Sequence, residues 1–335
     1  MAASDPSAAL AACAAILGDA HVLTGASALA PYVANVSGVH RRLAGVVRPS
    51  STAEVQRTVE VANRHGLPLY PISRGRNWGL GSRLPIRDGA CIVDLSRMNR
   101  IREVSAQQHY AVVEPGVTQQ QMHDYLRERD LPLIINVIGS GRETSLLGNA
   151  LERGIGYFAS RADSLSGLEV VLGSGRILHT GFGHYAGSRI THVYRHGVGP
   201  GLQGLFQQSN FGIVTAAGIE LLPWTDQHCS VIARIEAPDR LAALLDALGD
   251  LRRRELVRMV VHVSNRYRTL CTLAPLVYEQ LGPGRTRAAA EDILQRAGFG
   301  AWSAVASISG TADQLRLTVG EIRRALRGLA SVAVL

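Results

Sequence analysis

Pro71-Ile-Ser-Arg-Gly-Arg-Asn-Trp-Gly-Leu-Gly-Ser82 follows a short apolar run, residues 67–72, and places Gly75, Gly79 and Gly81 within seven positions. The run reads as a buried strand. A glycine-rich loop directly after such a strand turns tightly and points several backbone N–H groups at one anion. Ser73 and Asn77 add side-chain donors, and Arg74 and Arg76 add positive charge. The composition suits a pyrophosphate cradle. Its spacing is not the dinucleotide fingerprint of a Rossmann unit, because no helix with the right start follows. Taken alone, the loop is equally a turn with a purely structural role.

On the N-terminal side, Ser51-Thr-Ala-Glu54 has capping-box spacing. It opens a helix that buries Val55, Val59 and Ala62 and ends at Gly66 and Pro68. On the C-terminal side come a strand at 91–95 and paired strands at 101–104 and 110–113. Thr118 then caps a helix with Gln121 at the boxed position, carrying Met122, Tyr125 and Leu126. A strand is expected at 131–137. A second glycine-rich stretch holds Gly139, Gly141, Gly148, Gly154 and Gly156, which permit close approach to a flat ligand. Gly173-Ser-Gly175 reads as a hairpin turn between strands at 168–172 and 176–179. A third loop, Ser209-Asn-Phe-Gly-Ile-Val-Thr215, enters a strand at 213–222 that closes at Pro223. Three such loops in one α/β unit suggest a long, extended ligand.

After Trp224 the rhythm changes. Strands are expected at 231–235, 259–263 and 304–308. Asp239 is placed to cap a helix bearing Leu241, Leu244, Leu245 and Leu248, residues 287–297 read as helical, and Thr311 caps a helix with Leu315, Val319, Ile322 and Leu326 inward. Strands alternating with helices imply a two-layer α+β domain. The chain stops inside a strand begun at Ser331, so an unpaired edge and a tendency to dimerise or aggregate are expected. Three regions result: a helical segment, 1–44; a central domain, 45–225; and a partial cap or substrate domain, 226–335.

Composition narrows the function. The net charge is +8 over 335 residues, and all 35 basic residues are arginine. Without lysine there is no phosphate-loop lysine and no Schiff base. The arginines form no stripe and aromatics are only 5%, which argues against nucleic-acid binding. Cys13, Cys91, Cys229 and Cys271 are far apart, without a C-x-x-C pair, so neither a zinc site nor a disulfide framework is expected. Reduced thiols suit a cytoplasmic protein. Residues 8–17 are apolar, but no basic segment precedes them, so they read as a helix and not a signal peptide. No run is long and apolar enough for a membrane span.

Several motifs, in order, resemble the FAD-binding domain of the vanillyl-alcohol oxidase and p-cresol methylhydroxylase family. They are Arg48-Pro-Ser, the loop from Pro71 to Gly79, Val113-Glu-Pro-Gly-Val-Thr118, Gly148-Asn-Ala-Leu-Glu-Arg-Gly-Ile-Gly-Tyr157, Gly167-Leu-Glu-Val-Val171 and Gly204-Leu-Phe-Gln-Gln-Ser-Asn-Phe-Gly-Ile-Val-Thr215. The resemblance covers residues 45–225 and continues more weakly to 335. It implies an α+β fold: a two-subdomain FAD-binding domain followed by a partial α/β cap. Pro71, Ser73, Arg74, Gly75, Arg76, Asn77, Gly79 and Leu80 would then lie around the FAD pyrophosphate. Pro115, Gly116, Val117, Ser145, Gly148, Asn149 and Tyr157 would line the ribityl and isoalloxazine region. Glu169, Gly212, Ile213 and Val214 would hold the adenosine end or the flavin edge.

The sequence also departs from the family. Leu80 stands where the phenol oxidisers carry a tyrosine, and a leucine donates no hydrogen bond to a phenolate. The stretch Ile138-Gly-Ser-Gly-Arg-Glu-Thr-Ser145 lacks the family's aspartate near flavin N5, leaving Arg142 and Glu143 as catalytic candidates. No histidine lies between Pro71 and Ser82, so non-covalent FAD is expected. The implied activity is hydride transfer from an alcohol or benzylic carbon of a small molecule to flavin N5. The alternative is a truncated or split FAD-binding protein without independent turnover. A homodimer or a partner chain completing the cap is expected, with no nucleic acid, membrane or metal.

Overall fold

An apolar helix, α1 (Pro6–Leu17), buries Ala9, Leu10, Cys13 and Leu17. The computed structural model describes residues 6–76, 83–158, 160–283 and 286–335. The chain forms two units that part between Trp224 and Thr225, with Tyr157 and Phe158 belonging to the second.

The first unit begins with β1 (Val22–Leu23), α2 (Ala26–Val33), β2 (Leu43–Val47), α3 (Thr52–His65), β3 (Leu69–Ile72) and β4 (Ala90–Asp94). The sheet order is β1-β2-β4-β3, with β2, β4 and β3 parallel. Ser51 caps α3 by accepting from the Glu54 N–H, and Gly66 ends the helix at φ 63°. The Glu54 carboxylate accepts from the Ser50 N–H and hydroxyl, not from the cap residue's own N–H, so only half of the expected box forms. The strand expected at 67–72 proves to be the sheet edge. Within β3 only Ile72 is buried and Pro71 is exposed, a position where a missing N–H costs no ladder bond.

A second sheet follows. Its elements are β5 (Ile101–Ser105), β6 (Tyr110–Val113), α4 (Gln119–Glu128), β7 (Leu133–Ile134), α5 (Leu146–Leu151), β8 (Leu165–Leu172), β9 (Ile177–His179), β10 (Gly212–Glu220) and β11 (Leu222–Pro223). Five antiparallel strands run β5-β6-β10-β8-β9, and among the described residues β7 pairs only with β11. The strand expected at 131–137 therefore shrinks to two residues. Beyond it the chain turns to α4, where the Gln119 side chain accepts from the Ile138 N–H at 2.9 Å. Helix α3 joins the two sheets: Val55, Val59 and Val61 share one core with Cys13 of α1 and with Val171 and Ile213 of the second sheet. Gln56 and Asn63 donate to the carbonyls of Gly175 and Gly173, which binds α3 to the β8–β9 turn.

The second unit contains β12 (Gln227–Ile235), α6 (Leu241–Arg253), β13 (His262–Asn265), α7 (Arg266–Leu281), α8 (Arg287–Arg296), β14 (Trp302–Gly310), α9 (Ala312–Ala325) and β15 (Ser331–Val334). Its antiparallel sheet has the order β13-β14-β12-β15. Leu244, Leu248, Leu251 and Ile322 pack on Val231, Ala233 and Ile308. Some expectations change here. Asp239 sits in a 3-10 turn and caps nothing; α6 starts after Arg240 with no side-chain cap, and Leu245 is exposed. The strand expected at 259–263 lies at His262–Asn265, and α7 was not foreseen. The C-terminal strand pairs with Val231–Arg234 on one side, Leu335 exchanges hydrogen bonds with Ser230, and β15 stands as the last strand of its sheet. Thr311 and Gln314 form a full capping box on α9. Thr311→Ala removes one half of it. A loss of about 1 kcal/mol is expected, read as a lower melting temperature for this unit in calorimetry.

Candidate functional site

Ligands of parallel sheets gather beyond the carboxyl ends of the strands. In the first sheet Ile72 of β3 and Asp94 of β4 are in register, so the chains leaving them start side by side. Buried Asp94 secures this edge, accepting from the Ser96 N–H at 2.9 Å and the Tyr32 hydroxyl at 2.6 Å, with the Arg48 guanidinium at 3.7 Å. Ser73, Arg74, Gly75 and Arg76 emerge next to it. Gly75 has φ 60° and its carbonyl accepts from Arg83 Nε at 2.8 Å. An added Cβ there would collide with the Arg83 side chain. Arg74 pairs with Glu143 at 2.7 Å, tying the first glycine-rich stretch to the second, while Arg76 is exposed. Asn77, Gly79 and Leu80 lie outside the described residues.

The Pro115-Gly116-Val117 turn packs against the other side of this region. The Gly116 N–H donates to the Met98 carbonyl at 2.7 Å. The Pro115 carbonyl accepts from the Ser145 hydroxyl at 2.5 Å, and the Val117 carbonyl from the Leu146 N–H at 3.0 Å. Ser145 also caps α5, accepting from the Gly148 N–H at 2.8 Å. Gly148 in turn lies against Ser73: a Cβ on it would fall 2.5 Å from Ser73 Oγ and 3.2 Å from Ser145 Oγ. Ser73, Pro115, Gly116, Val117, Ser145 and Gly148 thus meet in one place, with Asn149 one residue further along α5. Arg142 and Glu143 are both exposed on the loop before α5, and the Arg142 carbonyl accepts from the Gln120 N–H at 3.0 Å.

One residue absent from the sequence reading belongs to this cluster. Arg161, in the 3-10 turn before β8, is only 2% exposed, and its guanidinium donates to Asn149 Oδ1 at 3.4 Å. No carboxylate pairs with it among the described residues. Burial pushes the Arg161 guanidinium down to about 10. A periodicity argument has no means of finding it, because an arginine four residues before an apolar strand reads as a solvated terminus.

The remaining candidates have other work. Burial alone would raise the Glu169 carboxyl, but hydrogen bonds from Arg102, Thr52 and Thr215 outweigh it and hold the group below its ordinary value. Those bonds, at 3.1, 2.7 and 2.8 Å, join β8 to β5, α3 and β10. Gly212 meets Val170 and Val171, where an added Cβ would come 2.6 Å from Val170 Cγ1. Ile213 and Val214 direct their side chains into two cores. Their backbone is paired only toward β8. The β6 pairing starts at Ala217↔Val113, so among the described residues Gly212 to Ala216 have no strand partner on that side, next to the Pro115 turn. Tyr157 falls in the second unit, its carbonyl accepting from the Val260 N–H at 2.5 Å and its ring 6.2 Å from that of His262.

Donor-bearing turns in close approach and a buried cation without a counter-charge fit a large, flat, anionic ligand. Known proteins of similar sequence and fold show the family. A sequence family described as an FAD binding domain matches residues 43–181. The chain is 37% identical over 324 residues to 1'-carboxy-chondrochloren decarboxylase of Chondromyces crocatus, spanning 95% of this chain and 60% of that protein. It is 32% identical over 308 residues to the flavoprotein subunit of 4-cresol dehydrogenase [hydroxylating] from Pseudomonas putida, spanning 90% and 59%. A crystal structure of p-cresol methylhydroxylase with substrate bound superposes with TM-score 0.91 at 29% identity, over 98% of this chain and 65% of that one. The chain belongs to the vanillyl-alcohol oxidase/p-cresol methylhydroxylase family. As a family member it carries an FAD-binding domain within the family's α+β fold. It spans about three fifths of the length of these curated relatives. Among the described residues no helix is long and apolar enough to cross a membrane, and no group of three or more His, Cys, Asp or Glu side chains could hold a metal ion.

Proposed function

We propose that this chain holds FAD non-covalently and takes part in oxidising an alcohol or benzylic carbon of a small aromatic substrate. The observation that carries the reading is the meeting of Ser73, Pro115, Ser145 and Gly148 through the 2.5 Å Ser145–Pro115 bond and the close seat of Gly148 on Ser73. Bound FAD would supply the electron sink, accepting a hydride at N5. Ser73, Arg74, Gly75 and Arg76 would hold the pyrophosphate through N–H groups and positive charge. Pro115, Gly116, Val117, Ser145, Gly148 and Asn149 would border the ribityl chain and the ring. The free backbone edge from Gly212 to Ala216, with Ile213 and Val214, would receive one edge of the cofactor. Glu169 would act at a distance, by fixing Thr52 and Thr215. Arg142 and Glu143 remain the catalytic candidates of the α5 loop, and Glu143 would also set the Arg74 side chain.

The name of the Pseudomonas putida relative describes one subunit of an assembly. By that likeness we infer a partner chain or a second copy. The Chondromyces crocatus relative favours a second reading, in which the substrate carries a carboxylate and loses carbon dioxide as the electrons leave.

The direct test is the absorbance spectrum of the purified protein before and after denaturation. Flavin bands that pass through a filter after unfolding are expected. A protein that stays colourless after incubation with FAD sinks the reading. Anaerobic titration of the yellow protein with a para-alkylphenol or a benzylic alcohol then tests the substrate class, with bleaching of the flavin expected.

A further inference from the structure

Burying a guanidinium without a carboxylate is costly, and proteins offset such a cost by binding an anion or a strong acceptor. Arg161 is in this position: 2% exposed, with Asn149 Oδ1 at 3.4 Å as its side-chain acceptor. Its neighbourhood is rigid. Its N–H donates to the Gly154 carbonyl at 2.8 Å and its carbonyl accepts from the Ser164 hydroxyl at 2.7 Å. The Asn149 amide fills the space that a side chain at Gly154 would need. The Asn149 bond engages Nη1 alone of the three guanidinium nitrogens, and a guanidinium carries five N–H donors. Asn149 directly follows Gly148, so the cation stands beside the cluster formed by Ser73, Pro115 and Ser145.

FAD offers two anionic regions. The pyrophosphate is matched by the more exposed Arg74 and Arg76 and the N–H groups of their loop. The isoalloxazine is neutral when oxidised and gains one negative charge, spread over N1 and the C2 carbonyl, on taking up two electrons and one proton as a hydride. We propose that Arg161 is the buried cation that balances this charge, so that it stabilises reduced FAD over oxidised FAD. This rests on the FAD reading above and assigns a residue to the electrostatic part of it. The chain's own contribution is pre-organisation: Arg161 is desolvated and held by Asn149 before the electrons arrive, so no reorganisation is needed when they do.

The test compares wild type, Arg161→Met and Arg161→Lys. The affinity for oxidised FAD is measured by fluorescence titration, the affinity for ADP by competition, and the reduction potential of bound flavin by dye equilibration with dithionite. For Arg161→Met the expected result is a potential lowered by at least about 30 mV, a tenfold loss of preference for reduced over oxidised flavin. Affinity for oxidised FAD should stay within about twofold, since a tenfold change corresponds to 1.4 kcal/mol. Arg161→Lys keeps the charge and should recover most of the potential, which separates a charge effect from loss of packing. If Arg161→Met weakens oxidised FAD and ADP equally with an unchanged potential, the cation serves the pyrophosphate and the proposal fails. An unchanged potential with unchanged affinities overturns it as well. A wild-type chain that takes up no FAD instead refutes the reading on which the proposal rests.

Discussion

Gly116→Ala is expected to be among the most damaging single substitutions in the first unit. The Cβ would sit 2.5 Å from the Ser96 carbonyl oxygen and 2.7 Å from that of Met98, both backbone atoms just after β4. Such atoms cannot rotate aside as a side chain does. Relief therefore requires moving the Pro115–Val117 turn, breaking the 2.7 Å Gly116–Met98 bond and pulling on Ser145. Overpacking of this kind costs about 1–3 kcal/mol and sometimes more. We expect about 3 kcal/mol, which for a unit of this size lowers the melting temperature by several degrees. Affinity for FAD should fall with it, because the turn joins two of the proposed cofactor loops. Gly173→Ala is the control, since a Cβ there meets nothing within 4 Å. Equal melting temperatures and FAD affinities for the two variants would refute the steric account.

Arg102→Met is the second large effect. Glu114 is fully buried and receives Arg100 at 2.9 Å and Arg102 at 3.1 Å. Arg102 also reaches Glu169 at 3.1 Å. The asymmetry of the network decides which change hurts most. Glu114→Gln leaves two arginines, of which Arg100 is 68% exposed and finds water readily. Arg102→Met instead leaves a buried carboxylate short of a partner and releases Glu169 too. Removing one partner of a buried charge costs about 3–5 kcal/mol, and the lower end is expected because Arg100 remains. Chemical denaturation should rank Arg102→Met well below Glu114→Gln.

The same network sets a pH dependence. The folded-state value of Glu169 is depressed below its ordinary 4.5, so its contribution is present above that value and is lost as pH falls through the folded value. Arg102→Met reduces the depression. The stability gap between wild type and variant should therefore be widest near neutrality and should narrow under acid conditions. A gap that stays constant from neutral to acid pH would show that Glu169 contributes nothing through its ionisation.

Much of this molecule was legible in the chain. Ser51, Thr118 and Thr311 cap helices as their spacing implies, because N-capping needs only an oxygen close to nearby N–H groups. Gly173-Ser-Gly175 turns the hairpin between β8 and β9 for equally local reasons. The family motifs marked the loops that gather at Ser73, Pro115, Ser145 and Gly148. Where local order deferred to partners, the reading slipped. The run at 67–72 is apolar enough for a central strand, yet its place at the sheet edge was set by which strand paired with β4. The run at 131–137 kept only two strand residues because only β11 was there to pair with it.

Cap geometry and turn chemistry were written in residues close together along the chain, since their physics acts over a few residues. Burial and charge balance were decided only by the tertiary structure. Glu114 and Arg161 are both charged residues that a sequence places at the surface. Folding buried both, surrounded Glu114 with two arginines and set Arg161 against the Asn149 amide with no carboxylate among the described residues. Desolvation and Coulomb attraction depend on what distant segments bring near, and that information exists only once the chain has closed on itself.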